Sequence, residues 1–125
     1  MSMLKSADIQ MDDLLELAVQ EGASDLHLAV GIPPVLRLNG SLAPLDAEPL
    51  TPTDTDRLMR AISSEAQIRG LDNEGGSDFG FGYKDAARFR VSIFRQKGHV
   101  GIVLRQIPTK MLTLEDIGLP AQMKD

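Results

Sequence analysis

Residues 77–107 contain three consecutive segments with the composition of β-strands, and this run constrains the fold more than any other feature of the chain. The segments read SDFGFGY, ARFRVSIFRQ and HVGIVLRQI. Pro108 ends the third segment, because proline cannot donate a hydrogen bond to a continuing ladder. A loop centred on Lys97-Gly98 is expected to join the second and third segments into a hairpin.

The register of this hairpin follows from the position of its loop. It places apolar residues opposite one another on one face, namely Val91 opposite Leu104 and Ile93 opposite Ile102. This face is therefore expected to belong to the core.

The first part of the chain predicts a helix followed by three shorter strands. Residues 9–21 carry the apolar stripe of an amphipathic helix, with Asp8 as its predicted N-cap and Gly22 as its stop. The segment SDLHLAV then alternates apolar and polar residues, as a half-buried strand does. Asn39-Gly40 predicts a type I′ turn between two further strands.

Two helices are predicted between these strands and the C-terminal run. Thr51 and Ser64 are their predicted N-caps, and a proline and a carboxylate follow Thr51 in the first turn. A capping pattern at Thr113 predicts one more turn of helix near the C-terminus. The order of elements predicts an α+β domain with a mainly antiparallel sheet whose helices cover one face.

Length and composition fit one globular domain. The chain has 125 residues, no cysteine and a formal net charge of -5. Without cysteine it has neither a disulfide nor a thiol nucleophile, and a reducing cytoplasm is the simplest location. The acidic balance argues against nucleic acid as a partner, because such binding depends on a basic surface. No apolar run is long enough for a signal peptide or a membrane span, so a chain that does not cross a membrane is expected.

The common motifs of catalytic and metal sites do not occur in the sequence. His27 and His99 lie in distant segments, and no pair of carboxylates or histidines has the spacing of metal ligands. The patterns GxSxG, GxGxxG and GxxxxGK[ST] are all missing. We therefore expect no catalytic residue and no metal ligand in this chain, and no hydrolysis of ATP by the chain alone.

The predicted hairpin concentrates positive charge. Its stretch RFRVSIFRQKGHVGIVLRQ has five basic residues and no acidic one. The register puts Arg90 directly opposite Arg105 on the face away from the core, with Arg88 on the same side and Arg95 on the core side. Like charges so placed repel each other. Either carboxylates elsewhere in the chain neutralise these arginines on a solvated face, or the pair binds a phosphate or carboxylate through two guanidinium groups.

Three stretches of the sequence resemble a known family. They are ASDLHLAVGIPPVLRLNGSL, FRVSIFRQKGHVGIVLRQIP and LTLEDIGLP. Together they resemble the N-terminal domain of the type IV pilus retraction ATPase PilT, in the secretion ATPase superfamily. The resemblance implies a PAS-like domain over residues 1–112, and the start of a linker to a RecA-like ATPase domain at residues 113–125.

The resemblance also implies a function for the parent protein. It implies a hexameric ATPase that uses ATP and Mg²⁺ to power pilus retraction and twitching motility, in the cytoplasm at the inner-membrane base of the pilus. The implied partners are the RecA-like domains of the same and neighbouring subunits, and the inner-membrane platform protein. No cofactor is expected in this fragment. Related pilus-extension or type II secretion ATPases, and a stand-alone PAS-like ligand-binding module, are the alternatives.

For single residues, the resemblance implies a role for the opposed arginines. Family members place arginines at the positions of Arg90 in RFRVS and Arg105 in VLRQIP, where they reach the nucleotide phosphates held by the RecA-like domain. Ser24, Asp25 and His27 match the SDLHL motif. No mechanism is assigned to these three, and a structural role in the strand is the simpler interpretation.

Overall fold

The structure, a computed structural model, describes residues 4–85 and 87–107. The predicted linker at residues 113–125, which includes the predicted turn at Thr113, lies outside the described residues. A short 3-10 turn at Ser6–Asp8 precedes the regular elements. The helices are α1 (Met11–Glu21), α2 (Pro52–Ile62) and α3 (Glu65–Glu74). The strands are β1 (Asp25–Leu28), β2 (Val35–Leu38), β3 (Ser41–Pro44), β4 (Gly76–Tyr83), β5 (Ala87–Gln96) and β6 (His99–Ile107).

The strands form one sheet in the order β3-β2-β1-β6-β5-β4, and every neighbouring pair is antiparallel. The prediction of an α+β domain with a mainly antiparallel sheet is confirmed. β1 lies between β2 and β6, so a pairing between distant parts of the chain joins the two predicted hairpins. The PAS-like assignment is a finer statement about this fold and stays a prediction.

The predicted register of the β5–β6 hairpin is confirmed. Arg90 lies opposite Arg105, and the apolar pairs on the other face are also as predicted. Lys97 and Gly98 both have positive φ angles, 54° and 82°, as the tight connection between these strands requires. Asn39 and Gly40 have φ angles of 51° and 84°, which agrees with the type I′ turn predicted between β2 and β3.

The core lies between the sheet and the helices. Inward residues of β5 are buried while those between them are exposed or half-buried, so the two faces of the sheet differ in kind. We call the face away from the helices the outer face. Arg95 lies on the helix side, as predicted, where its Nη2 is 2.6 Å from Oδ1 of Asp72 in α3. Large side chains that are almost fully buried include Ile9, Leu15, Leu26, Leu28, Leu36, Leu50, Leu58, Met59, Leu71, Phe89, Ile93 and Ile102.

Of the three predicted N-caps that lie among the described residues, two are confirmed and one is wrong. Thr51 and Ser64 both form capping boxes at the starts of α2 and α3. Asp8 does not cap α1, which begins at Met11 after Gln10. The physical reason is that the chain before α1 forms the 3-10 turn, in which the Asp8 amide donates to Lys5. In the part of the chain that the structure describes, no helix is long and apolar enough to span a membrane.

Candidate functional site

A row of four polar residues crosses the outer face of the sheet. Arg37 in β2 lies opposite Asp25 in β1, Asp25 lies opposite Arg105 in β6, and Arg105 lies opposite Arg90 in β5. All four point away from the core because each alternates along its strand with a buried hydrophobic residue. The sheet therefore brings three arginines and one carboxylate into a line.

Asp25 is the buried member of this row, with a relative exposure of 7%. Its Oδ1 accepts a hydrogen bond from Nε of Arg105 at 3.1 Å. Its Oδ2 accepts one from Oγ of Ser24 at 2.9 Å, and lies 3.7 Å from Nε of Arg37. Burial raises the pKa of Asp25, but the hydrogen bonds from Ser24 and Arg105 and the charge of Arg105 outweigh it, so the pKa lies below its usual value. Asp25 is therefore a carboxylate anion at neutral pH.

Arg90 has no such partner. Within residues 4–85 and 87–107, no carboxylate oxygen lies within salt-bridge distance of its guanidinium group. Its other neighbour across the ladder is Gly80 in β4, which has no side chain to offer. Asp78 also faces outward on β4, opposite Ser92, but makes no ion pair with Arg90. Arg90 is thus an exposed cation beside another cation.

Arg88 extends the positive charge toward the edge of the sheet. It lies opposite Gly82, and a Cβ atom placed on Gly80 would be 3.5 Å from its Nη2. The Arg88 side chain therefore lies across β4, over positions that lack side chains. Four arginines and only two aspartates, Asp25 and Asp78, belong to these outward strand positions, and this excess of positive charge is suited to an anion.

The structure places the other predicted residues as follows. Ser24 precedes β1 and contacts Asp25, whereas His27 lies between Val35 and Val103 on the outer face. The Nε2 atom of His27 is buried and has no hydrogen-bond partner among the described residues. His99, which was not predicted to have a role, lies at the exposed start of β6.

One of the two alternatives from the sequence was that carboxylates neutralise the arginines. Among the described residues this holds for Arg105 but not for Arg90. The sequence did not identify Arg37 as part of the site. A signal was present, because period-two alternation before the Asn39-Gly40 turn puts Arg37 on the opposite side of β2 from Leu36 and Leu38. This signal does not give the position of β1 in the sheet. Because β1 lies between β2 and β6, Arg37 and Arg105 both lie opposite Asp25.

The described residues contain donors for an anion but no ligand set for a metal. Across residues 4–85 and 87–107, no group of three histidine, aspartate or glutamate side chains is placed to hold a metal ion. Guanidinium groups fit phosphate oxygens in charge and in geometry. The outer face therefore offers donors for an anion.

Comparison with known proteins identifies close relatives of the chain. No protein-family model matches it. It is 36% identical over 116 residues to the type IV pilus ATPase PilU of Pseudomonas aeruginosa, which covers 93% of this chain and 30% of PilU. It is 35% identical over 111 residues to the retraction ATPase PilT of the same organism, with 89% of this chain and 32% of PilT covered.

Solved structures give the same result. The crystal structure of the pilus retraction motor PilT with bound ADP matches 90% of this chain and 33% of that chain, with a TM-score of 0.78 and 36% identity. The ATPase DotB of Legionella pneumophila matches 88% of this chain and 32% of its own, with a TM-score of 0.69 and 27% identity. The chain spans about a third of the length of the curated relatives that it matches. It is homologous to the pilus ATPases PilT and PilU over nearly all of its own length.

Proposed function

We propose that this chain is the N-terminal domain of a PilT-like hexameric ATPase that powers type IV pilus retraction and twitching motility. In this proposal Arg90 and Arg105 contact the phosphates of a nucleotide held by the RecA-like domain of the longer protein. The observation that carries the proposal is the direct opposition of these two arginines on the outer face, where Arg90 lacks a carboxylate partner among the described residues.

Electrostatics supports a phosphate as the missing partner. Two like charges directly opposed on a sheet cost up to ~1 kcal/mol, and a polyphosphate placed between them would reverse that cost. Guanidinium groups that meet developing negative charge on a transferred phosphoryl group act as arginine fingers. Arg90 and Arg105 have the residue type, the exposure and the mutual position for this role.

The remaining parts of the reaction belong, in this proposal, to the rest of the longer protein. The sequence has no GxxxxGK[ST] loop to hold a triphosphate, and the described residues have no ligand set for Mg²⁺. The RecA-like domain supplies both. The same outer face, or the surface around it, packs against the RecA-like domain of the neighbouring subunit in the hexamer. The assembly works in the cytoplasm, at the inner membrane, against the platform protein of the pilus.

A related pilus-extension or type II secretion ATPase would use the same surface with different cargo, so it shares the experiment below. The stand-alone ligand-binding module has weaker support. Such a module needs a closed apolar pocket. The cleft beside Gly101 and the cleft beside Gly76, of about 230 and 420 Å³, both open to the surface.

The test is ATP turnover by the longer protein with Arg90→Gln and with Arg105→Gln. Removal of one charged donor from a phosphoryl-transfer site is expected to lower kcat by about 100-fold. Arg69→Gln is the matched control, because Arg69 is an exposed arginine on α3, and it should leave turnover unchanged. Wild-type turnover in both Arg90→Gln and Arg105→Gln would contradict the proposal.

A further inference from the structure

Two neighbouring sequence motifs are linked through Asp25 to Arg105, which lies far from both in the sequence. The SDLHL motif contributes Ser24 and Asp25, and the stretch PPVLRLNG contributes Arg37 and Gly40. Nη1 of Arg37 donates to the carbonyl oxygen of Gly40 at 3.1 Å, and its Nε lies 3.7 Å from Oδ2 of Asp25. Asp25 in turn accepts from Nε of Arg105 at 3.1 Å. A continuous set of polar contacts thus runs from the β2–β3 turn to Arg105.

The two side chains in the contact between Asp25 and Arg105 differ in burial. The side chain of Asp25 is 8% exposed, whereas that of Arg105 is 73% exposed. Water could solvate Arg105 fully, and Asp25 loses hydration by being buried, so the pair is a poor way to stabilise the fold. The arrangement is better explained by what it does to the guanidinium group.

The contact between Asp25 and Arg105 uses only one of the arginine's donor nitrogens. Nε is engaged, and neither Nη atom of Arg105 donates to any residue in the ranges that the structure describes. A guanidinium group is planar, so a hydrogen bond at Nε fixes the orientation of the Nη atoms. Those two atoms are the pair that contacts two phosphate oxygens at once.

Ser24 and Arg37 hold the carboxylate through its other oxygen. Ser24 donates to Oδ2 of Asp25 at 2.9 Å, and Arg37 lies on the same side. Arg37 is itself tied to the β2–β3 turn, which leaves it less free to rotate toward a ligand. Both contacts favour the rotamer of Asp25 in which Oδ1 points at Arg105.

We propose that Asp25 is a positioning residue that holds Arg105 by its Nε and leaves both Nη groups for a phosphate, with Ser24 and Arg37 holding Asp25. This inference rests on the proposed function, because the phosphate is that of the nucleotide bound by the longer protein. It gives a role to a motif, SDLHL, that the sequence left without one.

The sign of the effect of Asp25→Asn separates positioning from simple electrostatics. A carboxylate close to a phosphate repels it, so its neutralisation would by charge alone raise the affinity for nucleotide. Positioning gives the opposite sign, since the variant weakens the contact that orients Arg105. We expect Asp25→Asn to lower kcat/KM for ATP in the longer protein by about 10-fold, the loss typical of residues that orient a ligand-binding group.

The experiment combines turnover with a direct measurement on the arginine. In the 125-residue chain, ¹⁵N relaxation of the arginine Nε–H groups should show Arg105 as ordered, and Asp25→Asn should lower its order parameter. In the longer protein, Asp25→Asn should not lower kcat/KM further once Arg105→Lys is present, because lysine has no planar guanidinium group for Asp25 to orient. Asp72→Asn is the matched control, since it removes a carboxylate paired with Arg95 away from the outer face.

Ser24→Ala provides a second variant in case Asp25→Asn does not fold. It removes the hydroxyl that holds Oδ2, and is expected to lower kcat/KM in the same direction by a smaller factor. Far-ultraviolet circular dichroism of each variant establishes that it is folded.

The outcomes distinguish this inference from the function on which it rests. Reduced turnover in Arg105→Gln, together with wild-type or raised kcat/KM in Asp25→Asn, overturns the positioning role and leaves the proposed function standing. Equal losses from Asp25→Asn with and without Arg105→Lys also overturn it. Wild-type turnover in Arg105→Gln overturns the phosphate contact of Arg105, and the positioning role with it.

Discussion

Among the described residues, two aspartates are buried and paired with an arginine, and the two pairs lie in different surroundings. Asp54 at the start of α2 is 4% exposed, and Asp25 on the outer face of the sheet is 7% exposed. Asp54 accepts from the backbone and the hydroxyl of Thr51, at 2.9 and 2.8 Å, and lies 3.3 Å from Arg57. The two carboxylates are therefore alike in burial and in having an arginine partner.

The arginines of the two pairs differ in how many of their donor nitrogens are left without a hydrogen-bond partner among the described residues. Nη1 of Arg57 donates to the carbonyl of Ile9 at 2.7 Å, and Nη2 donates to the carbonyl of Ser6 at 3.2 Å as well as to Asp54. Both of its Nη atoms are used within the domain, and its side chain is 35% exposed. Arg105 uses Nε alone and is 73% exposed.

This difference separates an arginine that holds the fold together from one that is available to a ligand. Arg57 ties the chain before α1 to α2, so its interactions are lost when the domain unfolds and contribute to stability. The Nη atoms of Arg105 have no hydrogen-bond partner among the described residues, so these donors are available to a ligand. The count of unused donors distinguishes the two arginines, whereas the presence of a carboxylate partner does not.

The largest effect on stability is expected from Asp54→Ala. The change removes the capping box of α2 and leaves Arg57 beside two carbonyl groups without its counter-ion. We expect the free energy of unfolding to fall by about 3 kcal/mol, as for other broken buried pairs. Urea unfolding of the chain measures it. Asp56→Ala is the control, because Asp56 belongs to an exposed pair with Arg60 and should cost under ~0.5 kcal/mol. Equal losses would remove the distinction between these carboxylates.

The next largest expected effect is on the stability of the domain at acid pH, to which the two aspartates should contribute differently. Burial raises the pKa of Asp54, but hydrogen bonds from Ser6, Thr51 and Arg57 outweigh it and lower the pKa from its usual 3.8 to about 2. Because the folded pKa is depressed, the contribution to stability is present above about pH 4 and is lost as the pH falls toward 2, and it amounts to about 2 kcal/mol.

Unfolding free energies measured between pH 6 and pH 2 check this expectation. The loss of stability over the acid range should be smaller in Asp54→Asn, which has no carboxyl group to protonate at this position. Asp25→Asn should change the acid dependence less, since its arginine partner is mostly solvated. An unchanged acid profile in Asp54→Asn would contradict the assignment.

The two pairs also show what could be predicted from the sequence. Thr51 and Asp54 are three residues apart, so their capping box was visible as a local pattern. The opposition of Arg90 and Arg105 was predicted for the same reason, because a tight hairpin fixes its own register. Fold class and the better part of the element order follow from such local patterns.

Non-local pairings could not be predicted in this way. Asp25 and Arg105 are brought together by the β1–β6 ladder, and no period or turn signal in either segment specifies its partner strand. The carboxylate that partly neutralises the arginines was therefore missed. The error at Asp8 has a related cause, because the residues before α1 are held by Arg57 of α2 instead of starting the helix.

A smaller effect is expected from Arg57→Met. The substitution keeps an unbranched chain of similar length but removes the donors to Ile9, Ser6 and Asp54, while Asp54 keeps its hydrogen bonds from Thr51. Loss of partners for these carbonyl groups should lower the free energy of unfolding by about 1–2 kcal/mol. Arg60→Met is the matched control on the same helix, with an exposed partner, and should cost under ~0.5 kcal/mol. Indistinguishable values for the two variants would mean that Arg57 does not link α2 to the chain before α1.

The smallest effect on stability is expected from Asp25→Asn, although Asp25 is nearly as buried as Asp54. The amide keeps an oxygen that can accept from Arg105, the variant no longer buries a charge, and water can take over the solvation of Arg105. These terms offset the lost ion pair, so the free energy of unfolding should fall by under ~1 kcal/mol. A loss as large as that of Asp54→Ala, measured by the same urea titration, would show that both carboxylates serve the fold. A small loss would mean that stability does not explain why Asp25 is buried. The positioning of Arg105 explains it instead, because Arg105 has unused donors for a ligand and gains from being held in place.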